Sequence, residues 1–158
     1  IITENLGDTV SLEDFTANWQ KKPPPARIKR ALVAEVARMA GAMHRGGVNH
    51  RDFYLCHFLM QKDPSPEKPH LSLIDLHRAQ VRSKVPRRWR DKDLAGLYFS
   101  ALKIGLTKRD KLRFLRIYFN RPLGEILLAE GGLLQKLEAQ AQRLSERFRR
   151  KYLSGTDN

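Results

Sequence analysis

The sequence has little cysteine and no long apolar run. Cys56 is its only cysteine, which excludes an intrachain disulfide and a cysteine-based zinc cluster and fits a reducing compartment. No window approaches the roughly 18 to 20 consecutive apolar residues that a membrane-spanning helix needs. The first ten residues also lack the basic-then-apolar order of a signal peptide. We therefore expect a cytoplasmic protein.

Internal repeats, low-complexity segments and the phosphate-binding pattern G-x-G-x-x-G are also missing. What the sequence has in excess is positive charge, because 30 lysines and arginines against 17 acidic residues give a net charge of +13. Such a charge attracts nucleic acid, an anionic membrane surface or an acidic protein, and does not by itself distinguish them. With 158 residues and 41% hydrophobic content, the chain is predicted to be one domain or part of one.

Apolar spacing and helix-capping residues predict a mainly α-helical fold with one small β-hairpin. The predicted strands of the hairpin are 57–60 and 71–75, joined by a polar loop. Ile1–Glu4 has the character of the end of a buried strand, so we expect the beginning of the protein to be missing from this chain. The predicted helices are 12–19, 26–45, one capped by Asp91 or Asp93 that runs through Leu102, one after Thr107, a helical segment at 125–128, and 133–152.

The segment GGVNHRDFYLCHFLM places a His-Arg-Asp sequence between the glycine pair that ends a helix and an apolar strand. A second carboxylate, Asp75, ends the next strand. This order resembles the C-terminal lobe of the protein-kinase-like fold. In that fold one aspartate orients or deprotonates the acceptor hydroxyl, and a later one binds the Mg²⁺ that bridges the nucleotide phosphates. The resemblance implies that Asp52 is the catalytic residue, Asp75 a metal ligand, and His57 the residue at the second metal position.

Two residues near this motif, His57 and Asp93, have alternative interpretations. Imidazole is a poor ligand for Mg²⁺, so His57 either hydrogen-bonds a metal-bound water or phosphate, or is a buried strand residue. His50 and Arg51 are expected to have a structural role rather than a catalytic one. Asp93 resembles the aspartate that hydrogen-bonds the catalytic-loop backbone, but it is also explained as an ordinary helix N-cap.

The resemblance becomes more specific over almost the whole chain. The segments GGVNHRDFYLCHFLM, IDLHRAQVR and KDLAGLYFSALKIGLTKRD are similar to the bacterial lipopolysaccharide core heptose(I) kinases, the WaaP family. This implies phosphorylation of an inner-core heptose, with ATP and Mg²⁺, at the cytoplasmic face of the inner membrane. It also implies that residues 1–10 are the interlobe hinge, with Glu4 and Leu6 near the adenine, and that 11–158 are the C-terminal lobe. The nucleotide-covering lobe would be absent, and this fragment alone inactive.

The basic residues have candidate roles in binding the acceptor and a partner. Tyr54 stands where protein kinases place a lysine, and Arg78, Arg82 or Lys84 could replace that cation and contact the acceptor; a solvated loop is the alternative. The last helix is also basic. It could lie near anionic lipid headgroups, dock an acidic partner such as an acyl carrier protein, or simply be a solvated face.

Two other classes of function remain open at this point: a basic helical module that binds nucleic acid, and a kinase-like scaffold without catalysis. The sequence has no helix-turn-helix spacing, zinc-ligand set or aromatic ribonucleoprotein motif. We therefore expect a lipopolysaccharide acceptor and no nucleic acid.

Overall fold

A computed structural model of the chain describes residues 5–62 and 66–153, which are mainly helical. The predicted fold class is therefore confirmed. The helices are α1 (Leu12–Thr16), α2 (Ala26–Arg45), α3 (Arg87–Ser100), α4 (Lys108–Phe119), α5 (Leu123–Ala129) and α6 (Leu133–Leu153). The strands are β1 (Thr9–Ser11), β2 (Val48–Asn49), β3 (Phe58–Gln61), β4 (Leu71–Leu73) and β5 (Gln80–Val81), and 3₁₀ turns span Leu55–His57 and Leu76–Arg78.

The sheet is larger than the sequence predicts. The expected hairpin, β3 and β4, pairs Phe58 with Leu73, but β1 adds a third antiparallel strand on the other side of β3. A separate ladder joins β2 to β5, with Asn49 opposite Gln80. His57 lies in a 3₁₀ turn rather than in a strand, which removes its interpretation as a buried strand residue. The predicted second strand also ends too late, because β4 stops at Leu73.

The helix starts follow local chemistry, with one correction. The Ser11 hydroxyl accepts a hydrogen bond from the backbone of Asp14 at the start of α1. Thr107 and Asp110 form a reciprocal capping box at the start of α4, as the sequence predicts. The predicted start of α3 is wrong: the helix begins at Arg87 after Pro86, so Asp91 and Asp93 are not caps. Both carboxylates are instead buried within the helix.

The core lies among α2, α3, α4 and α6, with the small sheet against α1. Phe53 and Phe58 are its largest fully buried side chains, and burying each contributes about 1.5–3 kcal/mol. An apolar cavity of about 110 Å³ lies among α2, α3, α4 and α6. No helix in the described part of the chain is long and apolar enough to cross a membrane.

A glycine holds the connection from the core to the candidate site. Gly47 follows α2 with a φ of +85°, in the left-handed region. A Cβ there would lie 1.9 Å from the carbonyl oxygen of Arg82, and the Arg82 N–H donates to the Gly47 carbonyl at 2.8 Å. The segment after β5 is therefore fixed directly against the segment that enters the His-Arg-Asp sequence.

Candidate active site

The two predicted carboxylate residues meet on opposite sides of one imidazole. The Nδ1 atom of His57 lies 2.6 Å from the backbone carbonyl oxygen of Asp52. Its Nε2 atom lies 3.3 Å from Oδ2 of Asp75. The 3₁₀ turn that follows Tyr54 turns the chain back so that His57 can reach both residues. The sequence therefore folds Asp52, His57 and Asp75 into one group.

The position of His57 favours a cation beside it. Because a carbonyl only accepts, Nδ1 must carry the proton that it donates to Asp52. In a neutral ring Nε2 is then an acceptor, and it faces a second acceptor on Asp75. A proton on Nε2, or a cation shared between the two atoms, removes this repulsion.

Asp75 is presented to solvent in an unusual backbone conformation. Its φ of 62° and ψ of 50° place it in the left-handed region, which aspartate tolerates better than most residues. Its Oδ1 atom pairs with Nδ1 of His77, a partner that the sequence did not reveal. That hydrogen bond, with the charges of His77 and His57, holds the pKa of Asp75 below its ordinary value. The carboxylate is thus exposed and held in its charged form.

Arg78 is the cation that contacts Asp52. Its Nη1 atom donates to Oδ1 of Asp52 at 2.7 Å, while Oδ2 of the same carboxylate has no partner among residues 5–62 and 66–153. Tyr54, beside this pair, has a pKa raised first by burial and then by the charge of Asp52. Of the three basic residues predicted for this region, Arg78 is the one that the structure brings to Asp52.

The other two lie elsewhere. Arg82 donates to the side chain of Gln80 at 2.6 Å. Lys84 lines a separate cavity of about 400 Å³ together with Arg45 and Arg121. Sequence position alone grouped these residues with Arg78 because they follow it within a few residues.

Asp93 organises the backbone of the loop that carries the His-Arg-Asp sequence. Its Oδ2 atom accepts the N–H of His50 at 2.7 Å, and its Oδ1 atom accepts the N–H of Arg51 at 2.9 Å. His44 approaches the same carboxylate at 3.0 Å and contacts the hydroxyl of Tyr118 at 2.6 Å with its other nitrogen. Sequence reasoning missed His44 and Tyr118, because both are on the faces of helices that also contribute to the core.

His50 connects the loop to the strand end that precedes Asp75. Its Nε2 atom lies 2.9 Å from the carbonyl oxygen of Ile74, and its ring stacks on that of His57 with centroids 5.7 Å apart. Arg51, with a φ of 75°, turns the backbone between His50 and Asp52. The loop backbone is therefore fixed by the Asp93 carboxylate on one side and by the segment that ends in Asp75 on the other.

The residues of this site suit a metal ion that takes most of its ligands from substrate phosphates and water. Among the described residues, no group of three or more His, Cys, Asp or Glu side chains is arranged to hold a metal ion. Mg²⁺ is commonly bound by one or two carboxylates together with substrate phosphates, and the exposed, charged Asp75 fits that requirement. Leu6 is half-buried in the segment before β1, and Glu4 lies outside the described residues.

Comparisons with known proteins agree on one family. Residues 1–118 match the model of the lipopolysaccharide kinase (Kdo/WaaP) family. The chain is 62% identical over 152 residues to the lipopolysaccharide core heptose(I) kinase WaaP of Pseudomonas aeruginosa, covering 95% of this chain and 57% of that protein. It is 54% identical to the corresponding kinase of Escherichia coli K12, covering 97% of this chain and 58% of that protein.

A solved structure is similar as well. It is a structure of WaaP in complex with acyl carrier protein, with a TM-score of 0.84 and 62% sequence identity over 90% of this chain and 60% of that chain. The chain thus spans little more than half the length of the curated relatives it matches.

Proposed function

The chain belongs to the lipopolysaccharide kinase (Kdo/WaaP) family, and from this premise we propose that the complete protein transfers a phosphoryl group from ATP to a heptose of the lipopolysaccharide inner core. In this proposal residues 11–158 are the C-terminal lobe of a kinase-like fold, and 1–10 are the hinge to a nucleotide-covering lobe. Glu4 and Leu6 of the hinge contact the adenine. The observation that carries the proposal is the convergence of Asp52 and Asp75 on His57.

The chemistry assigned to the site is mainly positioning and charge neutralisation. The Oδ2 atom of Asp52 accepts the hydrogen bond of the acceptor hydroxyl and takes its proton as the phosphoryl group is transferred. Arg78, bound to the other oxygen of Asp52, holds that carboxylate in orientation and places a positive charge beside the reacting groups. Asp75 would hold Mg²⁺, and His57 would hydrogen-bond a metal-bound water or a phosphate. When bound, Mg²⁺ would supply positive charge beside the nucleotide phosphates.

Transfer of ³²P from ATP to dephosphorylated lipopolysaccharide tests this function in the complete protein. We expect Asp52→Asn to lower the rate by about 10²–10⁴-fold, the range typical of a lost general base. Asp14→Asn is the matched control, since the Asp14 side chain is exposed on α1 and bonds none of Asp52, His57, Asp75 and Arg78. It should retain the wild-type rate.

The same assay separates the competing functions. Wild-type activity in both Asp52→Asn and Asp75→Asn would contradict the proposed kinase site. A wild-type protein that is inactive with every sugar acceptor would favour a scaffold, and salt-sensitive binding to duplex DNA without ATP would favour a nucleic-acid module.

We also propose that an acidic acyl carrier protein binds the complete protein at a basic surface. The support is the similarity to WaaP, which was solved with acyl carrier protein, together with the net charge of +13. The exposed basic residues near the end of α6 are the candidates, and the same face could approach anionic lipid at the inner membrane. Arg143→Glu with Arg147→Glu should weaken co-purification of the carrier protein, and unchanged co-purification would exclude this helix as its docking site.

A further inference from the structure

The indole of Trp89 is surrounded by positive charge. Two guanidinium carbons, those of Arg88 and Arg82, lie 4.5 and 5.6 Å from the ring centroid. The amine of Lys92 lies at 5.2 Å, and the guanidinium carbon of Arg51 lies at 6.0 Å. All four distances are within the range of a cation–π contact. We call these five residues the Trp89 cluster.

In the described part of the chain, no acidic side chain forms an ion pair with these four cations. The other arginines at the start of α3 differ, since Arg87 and Arg90 both bind Glu130. Four positive charges around one ring repel one another, and a single aromatic face offsets only part of that repulsion. An anion bound between these cations would reduce their mutual repulsion.

The start of α3 adds to the same potential. The first turn of this helix contains no acidic residue, and Pro86 offers no side-chain cap. A helix N-terminus carries partial positive charge, so an arginine there is more favourable beside an anion; Glu130 is that anion for Arg87 and Arg90, and Arg88 has none among the described residues. Arg88 and Lys92 are exposed and Trp89 is half-buried, so the cations present their hydrogen-bond donors to solvent.

Two members connect the cluster to the candidate active site. Arg51 directly precedes Asp52, and its backbone is held by Asp93. Arg82 is bonded through its backbone to Gly47, at the entrance to the catalytic loop. An anionic group bound in the cluster would therefore lie beside the loop that carries Asp52, at a position fixed relative to that loop.

We propose that the Trp89 cluster binds a carboxylate or phosphate of the acceptor saccharide, next to the sugar that is phosphorylated. This rests on the proposed function, because it assigns a second contact to the acceptor of that reaction. Arg88 and Lys92 bind the anion directly. Trp89 is a positioning residue, which keeps the guanidinium groups together by cation–π contacts.

Acceptor kinetics with the complete protein test this assignment. Arg88→Gln with Lys92→Gln removes both direct contacts and should raise the acceptor KM at least about tenfold, the minimum expected even if one contact contributes most of the binding, and leave the KM for ATP within about twofold. The matched control is Arg109→Gln with Lys103→Gln, which removes the same charge from exposed residues elsewhere. Equal acceptor KM values for the two double variants, both folded by circular dichroism, would overturn the proposal.

Modified acceptors identify the anionic group. If it is a carboxylate, reducing the sugar carboxylates to alcohols should raise the wild-type KM to that of the double variant, and the variant should then show no further loss. If it is a phosphate, removing the remaining acceptor phosphates should instead raise the wild-type acceptor KM to that of the double variant. Binding to anionic lipid vesicles that falls in the double variant, with an unchanged acceptor KM, would assign the cluster to a membrane and contradict the proposal.

Fluorescence separates this proposal from the proposed function. Trp19→Phe leaves Trp89 as the only tryptophan among these 158 residues, and any tryptophan in the rest of the complete protein is replaced by Phe as well; Trp19 lies in the core near Phe15. In that background, core oligosaccharide should change the Trp89 emission in a salt-dependent way, and Arg88→Gln with Lys92→Gln should abolish the change. If the protein shows this emission change but has no kinase activity, the anion site is supported and only the proposed phosphoryl transfer is rejected. No change in emission at saturating acceptor in an active enzyme would reject the site.

Discussion

Replacing Asp93 tests whether one buried carboxylate holds the His-Arg-Asp loop in place. Its side chain is 1% exposed and accepts two backbone N–H groups, from His50 and Arg51, while His44 approaches the same carboxylate. A hydrogen bond to a charged group contributes about 1.5–3 kcal/mol, and removing one member of a buried charged set costs about 3–5 kcal/mol. We therefore expect Asp93→Ala to lower the free energy of unfolding by about 3–5 kcal/mol.

The assay is urea unfolding of the complete protein, followed by circular dichroism. Asp93→Asn keeps the shape of the side chain but offers one acceptor oxygen, so about 2–3 kcal/mol should be lost and the variant should still fold. Asp14→Asn, on the exposed face of α1, should stay within about 0.5 kcal/mol of wild type. If the free energy of unfolding of Asp93→Ala lies within about 1 kcal/mol of the wild-type value, the carboxylate does not hold the loop in place.

Two further predictions concern the same framework. Gly47→Ala should destabilise the protein by about 2 kcal/mol or more, because the added Cβ meets the Arg82 carbonyl at a positive φ; an unchanged melting temperature would contradict the close approach. Burial acts to raise the pKa of Asp110, but hydrogen bonds from Lys29 and Thr107 outweigh it and hold the pKa below its ordinary value. The stabilisation is therefore present above the unfolded pKa of about 4 and is lost as the pH falls through the folded pKa. The difference in unfolding free energy between wild type and Asp110→Asn should be largest above about pH 5 and shrink below about pH 4. A constant difference in urea titrations across this pH range would show that the charged Asp110 carboxylate does not stabilise the fold.

The sequence predicts structure best where the structure depends on residues close together along the chain, as in a helix cap. Thr107 and Asp110 have the spacing of a capping box, and the structure forms it. The short strand β1 was missed, since its three residues overlap the helix cap at Ser11 and offer no alternation to detect. The start of α3 was misplaced because capping statistics favour an acidic residue, whereas burial and ion pairing inside the helix explain Asp91.

The candidate site was predictable in its order but not in its contacts. The sequence shows that Asp52 follows His-Arg and that Asp75 follows a predicted strand, and the roles of both residues come from the resemblance to the kinase-like fold. The sequence does not show that the 3₁₀ turn brings His57 between them, or that Arg78 rather than Lys84 reaches Asp52. Those contacts depend on how β3 and β4 pair and on the left-handed turn at Asp75, which are tertiary features.

The most direct test of the central claim is the Mg²⁺ dependence of single-turnover phosphoryl transfer by the complete protein. Asp75→Asn should raise the Mg²⁺ concentration for half-maximal rate at least about tenfold, as expected from the loss of a charged oxygen ligand. Asp52→Asn should lower the maximal rate while leaving that concentration near the wild-type value. Wild-type rates and wild-type Mg²⁺ dependence in both variants would show that these two carboxylates do not form one phosphoryl-transfer site.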